Sequence, residues 1–386
     1  MNTITKSIQS DEDRYQLPTY AKFPISIERG QGCYVYDQEG EKYLDFYAGH
    51  AVASTGHCHP RVVEAIQEQA SRLIFYSNVA YSGVRARAVR KLVEMAGQPY
   101  YQAFLVNSGS EANENAIKLA RAIAERHEII STVGSFHGRS YGALSSTGIP
   151  KYANYLNTPV PMHRILPMGE VAAAVSTETA AVLIEPIQSM AGVREIPLSH
   201  LSQIHQACKK HGALLIFDEV QTGVARTGSF LYAGRENVYP DMVTLAKGIA
   251  SGFPAGALLM TGALAKGVEK GDLGTTFGGG PLACAAMEAT LEVIEAENVA
   301  ENAARVGAYL KDALCSFQGI EQVQGRGLLL GLKLAGQMKA KDLQRALLDR
   351  RILTGTSVDP QVLRLMPPLT LTQHEADVFV EAVKTI

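Results

Sequence analysis

Residues 213–223 read ALLIFDEVQTG and residues 242–252 read MVTLAKGIASG, so two apolar runs end on a single charged residue, Asp218 and Lys247. A short run that is polar on neither face suits a parallel strand covered by helices on both sides. Asp218 then stands at the carboxyl end of a buried strand, where open α/β sheets keep their ligand sites. An unpaired carboxylate there costs roughly several kcal/mol, so an adjacent cation or a raised pKa is demanded, and a protonated pyridine nitrogen is one candidate. Lys247 follows twenty-nine residues later at the same sheet edge. A partly desolvated lysine has a lowered pKa and can condense with an aldehyde, although a lone lysine is more often a surface residue whose stem lies along apolar neighbours.

Two further runs, AFLV at 103–106 and AAVLIE at 180–185, read as strands of the same sheet. Between the runs, Ala116, Leu119, Ala120 and Ile123, then Leu201, Ile204, His205 and Cys208, repeat at helical spacing. Alternating strands and helices define an α/β fold with a mainly parallel central sheet. Upstream, Ile25 to Phe46 alternates apolar and polar residues, with turn residues at Asp37 to Gly40 between two short strands, which predicts a β-ribbon. Helices are expected from Pro60 to about Leu73 and from Val84 to Met95. After Pro281 long helical patterns take over, with strands expected near 320–324, 328–334 and 362–366 and a last helix from Gln373. The division that follows is an N-terminal segment 1–48 joining a small domain, a large domain 49–280 and a small α+β domain 281–386.

With 386 residues, 46% hydrophobic and 19% charged, the chain can bury two cores and needs no staples. Lys and Arg total 36 against 38 for Asp and Glu, so no positive field exists for nucleic acid or an acidic membrane, and a small-molecule partner is favoured. Five scattered cysteines show no metal-ligand or disulfide spacing, which fits a reducing compartment and no metal. The first twenty residues carry Asp11, Glu12, Asp13 and Arg14 without an apolar run, so no secretory signal is read there, and a cytoplasmic protein is expected.

NSGSEANENAIKLAR at 107–121 follows a strand and opens a helix, with Ser108 or Ser110 as cap and Glu111 or Glu114 in the first turn. The exposed N–H groups could hold a phosphate, mostly by hydrogen bonds, because the helix dipole contributes only roughly 0.3–2 kcal/mol. An ordinary capped helix explains the residues equally well. SFHGRS at 135–140 offers Phe136 as a flat face and Arg139 as a fork for a carboxylate. Taken singly, each has a plain structural explanation, as has His137. GTTFGGGPLACAA at 274–286 places Thr275 and Thr276 in a glycine-dense loop that could bind a second anion or simply flex.

Together these segments resemble the class III (ornithine-type) pyridoxal-phosphate aminotransferases from about residue 30 onward, most strongly over 214–252. Through YLDFYAGHAVASTGHCHP at 43–60, SFHGRSYGALSSTG at 135–148 and the two motifs above, they are similar to the branch acting on acetylornithine. The resemblance implies a fold-type I transferase with pyridoxal 5'-phosphate as cofactor, in which Lys247 holds the cofactor covalently and Asp218 binds its pyridine nitrogen. It implies that Gln221 reaches the phenolic oxygen, Val220 and Phe136 cover the two ring faces, and Gly109 and Ser110 hold the phosphate. Thr276 would join them from a neighbouring subunit, making a homodimer with shared sites. Thr275 would lie beside the substrate and Arg139 would clamp its carboxylate.

The implied reaction moves the terminal amino group of N-acetylornithine to 2-oxoglutarate in arginine biosynthesis. Ornithine, succinylornithine and 4-aminobutyrate are alternative donors, and a glutamate-1-semialdehyde aminomutase is a further relative, against which Arg139 after FHG speaks. Departures from the family pattern concern the substrate end. Met190 in EPIQSMAGV stands where many relatives have a glutamate that pairs with an arginine, so its expected partner, Arg364 in VLRLMPPL, is free or paired elsewhere. Gly280 stands where asparagine is usual, and YSNVAYS at 76–82 also departs.

Overall fold

A computed structural model describes residues 3–386, so the first two residues of the N-terminal segment lie outside it. Its centre is a seven-stranded sheet in the order Tyr100–Val106, Gly256–Thr261, Met242–Leu245, Leu214–Asp218, Thr179–Ile184, Glu128–Thr132 and His163–Leu166. All neighbours are parallel except Gly256–Thr261, which runs antiparallel to both of its partners. AFLV is therefore the end of an edge strand whose only ladder is antiparallel, rather than a strand inside a parallel array.

The apolar runs are two-faced, as their composition requires. Ile216, Leu183 and Ile129 pack with Ala116, Leu119 and Ala120 of the helix Gly109–Ala124 on one side. Leu215, Phe217, Val182 and Ile184 pack with Leu201, Ile204 and Cys208 of the helix Leu198–His211 on the other. Each fully buried Leu or Ile contributes about 1.5–3 kcal/mol, so this double cover fixes the register of the strand ends.

The N-terminal ribbon has three strands rather than two, Ile27–Gln31, Tyr34–Asp37 and Lys42–Asp45, because Gly32, with φ of 57°, turns the chain early. Its last strand pairs in parallel with Ile352–Leu353. The C-terminal sheet orders Ile320–Arg326, Leu329–Leu334, Val362–Leu365 and Gly355–Thr356, all antiparallel. The helices expected near 60 and 84 span Pro60–Arg72 and Gly83–Ala96, and Pro281–Ala296 packs on both. That third helix is buried nearly all round, so no single stripe orients it. Arg226, fully enclosed, donates to the Leu328 and Pro367 carbonyls and ties the turn after Asp218 to the C-terminal part. Among the described residues no helix is long and apolar enough to cross a membrane, and none of the five cysteines is disulfide-bonded.

Candidate active site

The carboxyl ends of three adjacent strands supply three ionisable side chains in a row. Lys247 follows Met242–Leu245, Asp218 ends Leu214–Asp218, and Glu185 follows Thr179–Ile184. Phe217 pairs with Ile184 and Asp218 with Thr244, so the row follows directly from the strand register. All three side chains line one cavity of about 440 Å³, a size suited to a cofactor and a small substrate.

Asp218 is 4% exposed, and its Oδ2 accepts from Asn113 Nδ2 at 2.7 Å and from His137 Nδ1 at 2.8 Å. Its Oδ1 accepts the Val220 N–H at 3.1 Å. A carboxylate has about four acceptor positions, so one remains for a ligand. Asn113 is itself held, accepting from Thr244 Oγ1 at 2.7 Å. Lys247 sits at φ of 45°, a left-handed backbone that costs roughly 1–2 kcal/mol for a residue with a side chain. Strain of this kind persists where surrounding structure enforces it, often at functional sites. Burial lowers the Lys247 pKa to about 8, against the opposing charges of Asp218 and Glu185. Among the described residues its amine has no hydrogen-bond partner.

The helix Gly109–Ala124 begins beside this row. Ser108 is its cap, accepting the Glu111 N–H at 3.1 Å, while Glu111 folds back onto the Asn107 N–H at 2.8 Å. The first N–H groups, at Gly109 and Ser110, have no carbonyl within the helix and face the cavity. A Cβ on Gly109 would meet Val220 Cγ2 at 2.7 Å, so the helix start can approach the Val220 shelf only as glycine. Ser110 Oγ takes the N–H groups of Arg139 and Ser140 at 3.2 and 3.1 Å and so anchors the SFHGRS turn. Phe136 borders the cavity opposite Val220, with its N–H on Glu185 Oε1 at 2.6 Å and its ring edge-on to Tyr152 at 5.4 Å.

Gln221 lines the cavity with a buried Oε1 that has no partner, and His137 Nε2 is likewise unpartnered. An unpaired buried acceptor is costly, so Gln221 marks a place for a ligand atom. The residues therefore fit pyridoxal phosphate: N–H groups at a helix start for its phosphate, an acid for its ring nitrogen, Gln221 for its phenolic oxygen, two apolar faces and an unpaired amine.

The remaining sequence candidates are placed differently. Arg139 lines the cavity, exposed, with its guanidinium 4.7 Å from the Tyr152 ring centre. Thr275 lies just outside, its Oγ1 accepting from Asn107 Nδ2 and the Gly278 N–H, both at 3.2 Å. Thr276 is exposed and does not border the cavity of its own chain. Arg364 is 2% exposed, donating to the Thr356 carbonyl at 2.7 Å and Ser189 Oγ at 3.0 Å, with no carboxylate bonded to it. Met190 lines the cavity.

Sequence reasoning did not single out Glu185, Asn113 or Tyr152. Glu185 ends AAVLIE as Asp218 ends ALLIF, so the same signal could have found it. Asn113, one helical turn before Ala116, is a polar residue on an apolar stripe.

A buried acid and an unpaired amine thus stand at adjoining strand ends beside the open start of a helix. A family model for class-III aminotransferases matches residues 15–386, and the chain belongs to that family. It is 44% identical to an acetylornithine aminotransferase of Methanopyrus kandleri over 95% of both chains. It is 40% identical to one of Agrobacterium fabrum, over 93% of this chain and 92% of that one. The crystal structure of ornithine aminotransferase from Toxoplasma gondii superposes with a TM-score of 0.93 at 31% identity, covering 100% of this chain and 95% of that one.

Proposed function

We propose that this chain moves the terminal amino group of N-acetylornithine to 2-oxoglutarate, giving N-acetylglutamate 5-semialdehyde and glutamate, the transamination of arginine biosynthesis. The observation that carries the reading is the row of Lys247 and Asp218 at adjoining strand ends with the Arg139 fork at the mouth. Support for the donor comes from relatives named acetylornithine aminotransferase at 37% to 44% identity.

Bound pyridoxal phosphate supplies an electron sink for the pair left on the donor carbon when its proton departs. With the cofactor bound, Asp218 would keep its ring nitrogen protonated and Lys247 would hold it covalently; the Lys247 Nζ, when free, would take the proton from the amine-bearing carbon of the donor and give a proton back later in the half-reaction. A pKa near 8 leaves a useful fraction of this amine neutral at physiological pH. Gly109 and Ser110 would hold the phosphate, Gln221 the phenolic oxygen, and Val220 and Phe136 the ring faces. Arg139 grips a carboxylate of each substrate in turn, Thr275 stands beside it, and Arg364 offers a second guanidinium deeper in.

The reading includes a homodimer in the cytoplasm. Ile74, Phe75, Tyr76 and Val79 are exposed beside Phe277, whose ring lies 5.2 Å from Phe75. An apolar face of this kind marks an interface, and Thr276 stands next to it, which supports its serving the site of a second copy. A division near residues 48 and 280 belongs to the same reading, supported by the pairing of Ile352–Leu353 with Leu44–Asp45.

Met190, together with an Arg364 that no acid neutralises, favours a second reading in which another ω-amine donor is used. Steady-state rates with acetylornithine, succinylornithine, ornithine and 4-aminobutyrate separate the two. The highest kcat/KM is expected for acetylornithine; a negligible rate with it beside rapid turnover of another donor would replace the substrate assignment. Turnover of glutamate 1-semialdehyde without any oxo acid would point instead to an aminomutase.

A further inference from the structure

Two carboxyl side chains stand side by side at the sheet edge, since Ile184 and Phe217 are paired and Glu185 and Asp218 come next. Both are nearly closed to solvent, Glu185 at 5% and Asp218 at 4%. Like charges so close and so poorly solvated are not both tolerated, and the better hydrogen-bonded group keeps the charge. Asp218 has two side-chain donors, His137 and Asn113, besides the Val220 N–H. Glu185 has two backbone donors, the Phe136 N–H on Oε1 at 2.6 Å and the Ser189 N–H, and among the described residues no side-chain donor.

We propose that Glu185 is a positioning residue that keeps its proton at neutral pH, on Oε2, leaving Asp218 as the single anionic carboxyl beneath the ring and Lys247 free to lose its own proton. Its Oε1 meanwhile fixes the Phe136 backbone and with it the turn that carries His137 and Arg139. The charged and titratable groups facing Glu185 are Asp218 on the neighbouring strand, Lys247 beyond it, His137 on the adjoining turn and Arg364 on the C-terminal sheet. Burial, and then the charge of Asp218, push the Glu185 carboxyl up to about 8, against the Phe136 N–H, Lys247 and the Ser189 N–H, which pull it down. Above that pH the ionised Glu185 becomes a second anion lining the cavity beside Asp218, and it repels the carboxylates of both substrates.

The inference rests on the roles given above to Asp218 and Lys247, and a spectroscopic readout separates its failure from theirs. Infrared difference spectra of the holoenzyme between about pH 6 and about pH 10 should show the loss of a protonated-carboxyl band that is absent in Glu185→Gln. Glu219, buried nearby with its carboxyl pushed up to about 7, supplies a second band that the variant keeps. In parallel, wild-type kcat/KM should fall to a lower plateau above the ionisation, and Glu185→Gln, whose amide copies the protonated form, should lose that fall. A residue with only a structural role would leave the shape of the profile unmoved. Identical infrared bands, or superimposable alkaline limbs, in wild type and Glu185→Gln would overturn the proposal even if transamination itself were confirmed.

Discussion

Beneath the ring site, Asp218 is held at 2.7 and 2.8 Å by Asn113 and His137 and is nearly closed to solvent, whereas Arg139 at the mouth is exposed and leans only on the Tyr152 ring. The inner end is preorganised: its donors already point where charge must be stabilised, and their orientation is fixed by strand register. The exposed Arg139 side chain at the outer end is free to turn, while Arg364, buried on the C-terminal sheet, donates to a carbonyl and a hydroxyl. On the proposed reading chemistry is built into the strand ends, while the choice of substrate is left to side chains on a turn and on the C-terminal sheet.

That contrast can be broken by substitution. Asp218→Ala should give the largest effect, a loss in kcat on the order of 10²–10³-fold, because it removes the ring-nitrogen partner and strands His137 and Asn113 in a buried site. The check is single-turnover kinetics at saturating cofactor; a change confined to KM would mean that the inner end is not where the chemistry resides. Arg139→Ala should instead raise KM for 2-oxoglutarate about 10- to 100-fold, with kcat changed less, since one charge-assisted contact is worth about 1.5–3 kcal/mol. Equal losses in kcat would blur the two ends into one. Gly109→Ala should be the mildest of the three, weakening cofactor affinity about tenfold in an absorbance titration, because a Cβ 2.7 Å from the stiff Val220 side chain pushes the helix start off that shelf. Unaltered affinity would show that the helix start does not need its close approach.

Much of the inner end was legible in sequence, because a buried strand that ends on a charge is a local pattern. ALLIF and MVTLA placed Asp218 and Lys247 at one rim, and the rim is where the fold puts them. The antiparallel strand Gly256–Thr261 was not legible, since strand direction depends on how the preceding loop turns and not on composition. Likewise Asn113 and His137 reach Asp218 from sequence distances of 105 and 81 residues, which no short motif encodes. At the outer end, Thr276 is exposed and does not border the cavity of its own chain, so the part proposed for it requires a second copy, which one sequence describes only by resemblance.

The claim on which all of this depends is that the Lys247 amine is the group that joins the cofactor. Borohydride reduction of the purified holoenzyme, followed by peptide mapping, tests it directly. The account predicts one phosphopyridoxyl adduct per chain, on Lys247, and none in Lys247→Ala. An adduct on another lysine, or a protein that takes up no pyridoxal phosphate at all, would contradict it.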